Sequence, residues 1–266
     1  MIMNSITFLG TGGGRSVVFS QVRASGGIYF ELDGKRFILD PGPGSLVNMR
    51  QMKLKEPHGL LISHYHVDHI SDARTLLDGM KEPFLIAEEN VISGDDNSPG
   101  LGKYHVSKAA FLKSLKAGDS AKIPKSEIKI IATKCKHTSP CIGFMIEGSK
   151  KIGYVSDTTY FKGVQKPFEG SDLLVFNVLV PWKKDPIERK HLSADEATDF
   201  IKNLEKKPKL AIIQHFSFWM LQNNVYAQAK MIEKETGVKT IAAKDFMKVD
   251  IDKLKEEKKG LERFGS

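Results

Sequence analysis

The stretch S-H-Y-H-V-D-H-I, residues 63–70, places three of the chain's eight histidines and one aspartate close together. Burying three imidazoles and a carboxylate without a cation would cost desolvation free energy and leave polar groups unpaired. His64 and His66 are separated by one residue, so both imidazoles point the same way in an extended segment. Asp68 and His69 follow at a loop-to-helix junction and can face the opposite side of the same pocket. The stretch therefore predicts a metal site.

Further candidate ligands follow apolar runs elsewhere in the chain. The run I-K-I-I-A-T-K-C-K leads into His137, K-I-G-Y-V-S into Asp157, and L-A-I-I-Q into His215. Strand ends of one sheet lie along one edge, so these residues can converge on a single rim. Imidazole and carboxylate ligands suit Zn²⁺ first, and Mn²⁺ or Fe also fits. We expect two divalent metal ions that share one carboxylate and keep open positions for water, held by His64, His66, Asp68, His69, His137, Asp157 and His215.

Such a site predicts a hydrolase. Two metal ions about 3.5–4 Å apart can hold a bridging hydroxide and stabilise the attacking and leaving oxygens of a displacement. Asp68 would then be both a ligand and a carboxylate that orients the nucleophile or accepts its proton. A departing alkoxide still needs a proton, and His191 is the candidate general acid. The alternative for His191 is a structural hydrogen bond at the start of a helix, and the sequence mechanics leave both open.

Hydrophobic periodicity predicts strands that alternate with helices. One helix is predicted from near Asp68 to Gly79, one over H-L-S-A-D-E-A-T-D-F-I-K-N-L (191–204), and one after residue 222. The loop S-G-D-D-N-S-P-G-L-G (93–102) is either a plain surface loop or a flap over a site. Strands are predicted at 5–10, 27–32, 36–40, 59–63, 84–87, 128–133, 142–147, 151–156, 172–180, 209–215 and 238–242.

Length and composition predict an ordinary globular enzyme. The chain has 266 residues, of which 41% are hydrophobic and 27% charged. We predict one domain over residues 1–266, with a charged C-terminal tail from about 250. No apolar run approaches the roughly 18 residues of a membrane span, and the start lacks the features of a signal peptide. We therefore expect a cytoplasmic protein with no membrane partner.

The charge and the cysteines each leave two interpretations open. A formal net charge of +8 fits polyanionic partners such as RNA, DNA or phosphorylated metabolites, but lysine-rich solvated helix faces at 202–209 and 252–259 would also explain it. Cys135 and Cys141 are too few for a disulfide framework and do not form a C-x-x-C pair. We expect two small buried thiols, with a redox or supporting role beside His137 as the alternative.

The ligand order H-Y-H-V-D-H, His137, Asp157 and His215 resembles that of the metallo-β-lactamase superfamily. The resemblance runs from F-L-G-T-G-G-G (8–14) and F-I-L-D-P-G-P-G (37–44) to I-I-Q-H-F-S (212–217). It implies an α/β fold (α+β by some schemes), a four-layer αββα sandwich with a dinuclear site on one edge of the two central sheets. It also implies that Asp40 supports the ligands from beneath the site. The implied ligand sets are His64, His66 and His137 for one metal ion, Asp68, His69 and His215 for the other, and Asp157 as the bridge.

Within that superfamily the chain is most similar to the ribonuclease Z-like and related phosphodiesterase branches. L-G-T-G-G, V-S-D-T-T, H-L-S-A-D-E-A and Q-H-F-S carry this similarity. It implies that His191 contacts the scissile phosphate or assists the leaving group, and it suggests a homodimer. Asn177 stands about where that branch has a glutamate that pairs with this histidine, and no long insertion resembles the arm that grips tRNA.

We therefore expect a phosphodiesterase that uses a hydroxide bridging two zinc ions. Its substrate would be a cyclic nucleotide, a cyclic phosphate or an RNA phosphodiester. One alternative is a thioester or lactone hydrolase with the same dinuclear core, acting on another small molecule. A further alternative is an inactive nucleic-acid-binding protein.

Overall fold

The computed structural model describes residues 4–182 and 190–254. The first half of the chain forms β1 (Ser5–Phe8), α1 (Arg15–Ser20), β2 (Ile28–Leu32), β3 (Lys35–Leu39), α2 (Ser45–Gln51), β4 (Gly59–Ile62), α3 (Val67–Ile70), α4 (Ala73–Gly79), β5 (Phe84–Glu88), α5 (Glu89–Ser93), α6 (Lys103–Val106), β6 (Phe111–Leu115), β7 (Ser120–Lys122) and β8 (Lys129–Lys134).

The second half continues with β9 (Ile142–Glu147), β10 (Lys151–Tyr154), a short 3₁₀ helix (Lys166–Phe168), β11 (Leu173–Val180), β12 (Leu192–Ser193), α7 (Ala194–Lys202), β13 (Leu210–Gln214), α8 (Phe218–Gln222), α9 (Val225–Thr236), β14 (Thr240–Ala242) and β15 (Lys248–Asp250). Residues 255–266, most of the predicted charged tail, lie outside the described residues.

The strands build two mixed sheets. One has the order β15-β1-β2-β3-β4-β5-β6. The other has the order β14-β13-β11-β10-β9-β8-β7, and β12 pairs with β11. Strands β3 to β6 run parallel to one another. In the second sheet β8 and β10 are both antiparallel to β9, so they share a direction, and β10 is parallel to β11, which is parallel to β13.

Alternate residues along the strands separate the layers. In β2, Phe30 packs into the core between the sheets, whereas Tyr29 packs into the core under α2 and α4. In β11, Val175 faces the central core and Phe176 faces the core formed with α7 and α9. Strands buried on both faces read as continuous apolar runs. The predicted four-layer αββα sandwich is thus confirmed.

Two predicted helices have different boundaries. The helix predicted from Asp68 to Gly79 is broken into α3 and α4, because the Asp72 amide donates to the Pro41 carbonyl at 3.0 Å instead of continuing the helix. The helix predicted to open at His191 begins at Ala194, after β12. Ser193 and Glu196 form a capping box there, which satisfies the first free amides of α7. His191 therefore precedes a strand and does not start the helix.

The described helices do not include one long and apolar enough to cross a membrane.

Candidate active site

The candidate site lies where the carboxyl ends of strands from both sheets meet. Strand β4 leads to His64, β8 to His137, β10 to Asp157 and β13 to His215. Because these strands run in the same direction within each sheet, their ends share one edge. The rings of His64 and His137, which come from different sheets, lie 5.1 Å apart between centroids. The structure brings all the predicted ligand residues together at this edge.

Three imidazole nitrogens form one half of the cluster. His66 Nδ1 lies 3.1 Å from His64 Nε2 and 3.1 Å from His137 Nε2. Nitrogen ligands at the usual Zn–N distance and tetrahedral angles would be about 3.3 Å apart. The spacing of the three nitrogens therefore suits a shared metal ion.

Hydrogen bonds on the far side of two rings fix where their protons sit. His64 Nδ1 lies 2.9 Å from the Ser63 hydroxyl, which itself donates to Asp40 Oδ2 at 2.6 Å. His137 Nδ1 lies 2.9 Å from the Lys190 carbonyl, which can only accept. Each Nδ1 is thus the protonated nitrogen, and each Nε2 directs a lone pair at the cluster. Facing lone pairs repel one another unless a cation lies between them.

Asp68, His69 and His215 form the other half. Asp68 Oδ2 lies 3.6 Å from His215 Nε2 and 3.9 Å from His69 Nε2. His69 Nδ1 donates to Asp40 Oδ2 at 2.9 Å, which leaves Nε2 free to bind a metal. Both Nε2 atoms are buried and have no hydrogen-bond partner. Buried polar atoms are rarely left unpaired, and a metal ion would satisfy both.

Asp157 lies between the two halves. Its Oδ2 is 3.5 Å from His69 Nε2 and 3.6 Å from His215 Nε2 on one side. On the other side it is 3.8 Å from His137 Nε2 and 4.0 Å from His64 Nε2. This single oxygen is therefore positioned to serve both halves of the cluster.

The electrostatics of the cluster favour neutral imidazoles at three histidines and an ionised carboxylate at Asp157. Burial lowers the pKa of His64 and His66, and it lowers the pKa of His137 to about 4. Burial opposes ionisation of Asp157, but the charges of His215 and His69 outweigh it and hold the pKa of Asp157 well below its usual range. These are the protonation states that metal binding requires.

The pKa of His69 is shifted in the opposite direction. Burial alone would lower the pKa of His69, but the carboxylates of Asp68, Asp157 and Asp40 raise it well above the usual value. Three carboxylates around one ring create a field that favours positive charge at its edge. A proton or a metal ion at Nε2 would supply that charge.

A buried hydrogen-bond network underlies the cluster. Asp40 accepts from the Ser63 amide, the Ser63 hydroxyl, His69 Nδ1 and the Tyr154 hydroxyl, at 2.6–2.9 Å. Asn177 Nδ2 donates to the Tyr154 hydroxyl at 3.0 Å and to Asp157 Oδ1 at 2.7 Å. The network joins the carboxylate beneath the site to the carboxylate between its halves.

Ser63, Tyr154 and Gln214 have roles at the site that the sequence motifs did not predict. Gln214 Nε2 donates to Asn177 Oδ1 at 2.6 Å, which orients the Asn177 amide. The sequence carries a signal for part of this network, because Asn177 and Gln214 are polar residues within otherwise apolar strands that are fully buried. The Asn177 amide donates to Asp157 and Tyr154 and not to His191.

His191 lies at the open side of the cluster. Its Nε2 is 3.2 Å from Asp157 Oδ2, and its ring centroid is 4.9 Å from that of His137. Its side chain is 28% exposed, compared with 17% for Asp68 and 1% for His137. A group in this place can contact both the cluster and an incoming molecule.

Three of the ten described non-glycine residues with positive φ lie at the site. Asp40, Ser156 and His215 have φ values of 50°, 60° and 65°, a region that residues other than glycine seldom adopt. Such strain persists only where the surrounding structure fixes it. The three residues either belong to the cluster or, for Ser156, directly precede a member of it.

The glycine-rich motifs allow close backbone contacts around the site. A Cβ atom on Gly42 would lie 1.9 Å from the Asp68 backbone oxygen, and one on Gly13 would lie 2.4 Å from the His215 ring. The Gly13 amide also donates to the Phe216 carbonyl at 3.0 Å. The G-T-G-G-G turn therefore packs against the loop that carries His215.

A cleft of about 790 Å³ opens beside His137. Its wall includes Glu88, the two cysteines and four lysines, and those lysines are Lys116, Lys134, Lys136 and Lys190. The four lysines are exposed. Burial raises the pKa of Glu88, the only carboxylic acid among these lining residues, and so disfavours its negatively charged form. The cleft wall thus presents positive charge next to the cluster.

Comparisons with known proteins agree with this architecture. A family model described as a β-lactamase superfamily domain matches residues 35–216. An uncharacterized protein of Methanocaldococcus jannaschii is 33% identical over 257 residues, which cover 92% of this chain and 94% of that protein. A ribonuclease Z of Treponema denticola is 21% identical over 281 residues, covering 83% and 90% respectively. The crystal structure of the metallo-β-lactamase fold protein YhfI from Bacillus subtilis has a TM-score of 0.71 at 19% identity, covering 93% of this chain and 99% of that one, and is similar in fold.

Proposed function

The chain belongs to the β-lactamase superfamily, and we propose that this hydrolase is a phosphodiesterase that works with two divalent metal ions. The observation that carries the proposal is the cluster of imidazole nitrogens around Asp157 Oδ2, two of which, His69 Nε2 and His215 Nε2, are buried without a hydrogen-bond partner. Histidine and carboxylate donors with no thiolate suit Zn²⁺ first, with Mn²⁺ or Fe as alternatives. RNA and small cyclic phosphodiesters are the substrates that we propose.

In this proposal the two halves of the cluster hold one metal ion each. Asp157 would serve both ions, because its Oδ2 lies 3.5–4.0 Å from nitrogens of both halves. Asp40 holds His64, through Ser63, and His69 in the orientation that binding needs. The ligand sets are His64, His66 and His137 for one ion, and Asp68, His69 and His215 for the other.

Two bound metal ions supply a nucleophile at neutral pH and neutralise charge that develops on the phosphoryl oxygens. The chain's own residues would do the rest. Asp68 is the most exposed of the carboxylates in the cluster, at 17% of its side chain, so its free oxygen can accept the proton of an attacking water. His191, held by Asp157 Oδ2, would donate a proton to the leaving oxygen.

The lysine-lined cleft favours an anionic substrate. A phosphodiester that reacts beside His137 would extend into a space whose wall carries Lys134 and Lys136. Positive charge along a cleft raises the local concentration of polyanions and speeds their association. The similarity to a ribonuclease Z supports the same substrate class, since that relative acts on RNA.

The test is metal content together with hydrolysis of bis(p-nitrophenyl) phosphate, a 2′,3′-cyclic nucleotide and an acyl thioester. We expect about two metal ions per chain and turnover of at least one phosphodiester. Asp68→Ala should abolish turnover, and His191→Ala should lower it by about 10²–10⁴ while metal content is retained. His105→Ala, a histidine of α6 outside the cluster, is the matched control.

Two outcomes would overturn the proposal. Turnover of the thioester with none of either phosphodiester would assign the site to acyl substrates. Absence of bound metal in protein purified and reconstituted with Zn²⁺ would remove the basis for any metal-dependent hydrolysis.

A further inference from the structure

The two cysteines lie opposite each other where the β8–β9 hairpin opens into the loop that carries His137. The ladder between these strands ends at the pair Lys134 and Ile142. In the same register, the next opposed residues are Cys135 and Cys141. Opposed residues of an antiparallel pair point to the same face with Cα atoms about 4.5–5.5 Å apart, a separation that a disulfide can span.

Both thiols also rest against the loop that ends in Asp157. Cys135 Sγ lies 3.6 Å from the Val155 carbonyl, and Cys141 Sγ lies 3.4 Å from the Asp157 carbonyl. The hairpin register and these two contacts place the thiols side by side. Both residues also line the open cleft, where a small oxidant can reach them.

We propose that Cys135 and Cys141 form a reversible disulfide that controls the position of His137. A low-molecular-weight disulfide such as oxidised glutathione is the oxidant. The thiolate of one cysteine attacks a glutathione sulfur, which breaks the glutathione disulfide and releases one glutathione thiolate. The second cysteine then attacks the mixed disulfide and releases the other. The protein loses two electrons and two protons, and the oxidant is reduced to two thiols.

The bond would act on the cluster through the short loop that it closes. A disulfide requires an S–S distance of about 2.05 Å, so the two free thiols must move closer together. Closure would draw Cys141 Sγ away from the Asp157 carbonyl and restrict the backbone conformation of residues 136–140. His137 lies within that loop, and its Nε2 has to stay 3.1 Å from His66 Nδ1 for the two to share a metal ion. The oxidised protein should hold the metal at this half of the cluster more weakly.

The test uses the full chain loaded with Zn²⁺ and treated with oxidised or reduced glutathione. Free thiols should fall from two to none per chain, and intact mass after alkylation should show an intramolecular disulfide. Bound Zn²⁺ measured after dialysis should fall by up to one ion per chain, and dithiothreitol with added Zn²⁺ should restore it. Cys135→Ser keeps a hydrogen-bond donor towards Val155 and cannot close the bond, so its Zn²⁺ content should not respond to oxidised glutathione.

Three results would overturn the inference. Two thiols that stay free, or stable glutathione adducts on both, would show that the pair does not close. Disulfide-linked dimers on non-reducing gels would show that the thiols pair between chains. Quantitative internal disulfide with unchanged Zn²⁺ content would remove the effect on His137. The disulfide itself does not depend on phosphodiesterase activity, whereas its effect rests on His137 being a ligand, so the two proposals fail separately.

Discussion

Asp40→Asn changes one atom beneath the candidate site and should weaken metal binding without altering the packed volume. Asp40 is 3% exposed, and its two oxygens accept four hydrogen bonds. An asparagine has only one acceptor oxygen. If its NH₂ group replaces Oδ1, it faces the Ser63 amide, which cannot turn away. If it replaces Oδ2, it faces His69 Nδ1 and two hydroxyls.

The magnitude follows from these contacts. A buried donor left without its charged acceptor costs about 1.5–3 kcal/mol. Because Ser63 and His69 hold the ligand rings, part of this cost should appear as lost affinity, about tenfold to a hundredfold in the metal Kd. Asp172→Asn is the matched control. Asp172 precedes β11, at the end of that strand opposite the candidate site, and pairs with Lys209.

The assay is competition for Zn²⁺ against a chelator of known affinity, with the melting temperature of each variant measured in parallel. Asp40→Asn should shift the Zn²⁺ Kd by the stated factor, and Asp172→Asn should leave it unchanged. An Asp40→Asn protein that melts earlier but binds Zn²⁺ as tightly as the wild type would refute the reasoning, because the carboxylate would then stabilise the fold without orienting ligands.

Other perturbations test separate parts of the structure. Gly42→Ala places a methyl group against the backbone of the metal-binding stretch and should lower the melting temperature and the Zn²⁺ content. Gly79→Ala is the control, because its added Cβ meets no atom within 4 Å, and it should change neither quantity. The folded metal-free protein holds the pKa of His137 at about 4, below the value of about 6.5 in an unfolded chain, so the unfolded state takes up the proton first and stability should fall as pH drops from about 6.5 towards 4. His137→Gln should flatten that slope in thermal melts of metal-free protein. Lys134→Gln combined with Lys136→Gln should raise KM for an oligonucleotide about three- to tenfold at low salt and leave kcat for bis(p-nitrophenyl) phosphate unchanged. Equal KM values in the wild type and the double variant would exclude these lysines from substrate binding.

The sequence predicts the fold well because its decisive signals are local. Apolar runs such as L-L-V-F-N-V-L-V identify doubly buried strands, and the ligand order along the chain resembles one superfamily. Helix starts are less predictable from sequence alone. Asp72 breaks a helix because its amide meets the Pro41 carbonyl, a contact between segments far apart in sequence.

The hydrogen-bond network beneath the site is also hard to predict from the sequence, because it depends on contacts between distant segments. Asp40 could be assigned from its motif, but the role of Tyr154 depends on a hydroxyl that reaches Asp40 from the other sheet. Asn177 shows how position along a strand can mislead, because the direction of its amide depends on Gln214 and Asp157. Contacts of this kind arise only after the sheets have packed.

The cluster draws its donors from both sheets, and this gives a bound metal ion a mechanical role. His64 comes from the first sheet and His137 from the second, so an ion between them would pin the two sheets together at one edge of the sandwich. Sliding or splaying of the sheets would then require the ion to leave. Hydrogen exchange in β4, β8 and β13 should slow together when Zn²⁺ binds. Unfolding should then begin preferentially at the opposite edge of the sandwich, where the described residues form no such cluster.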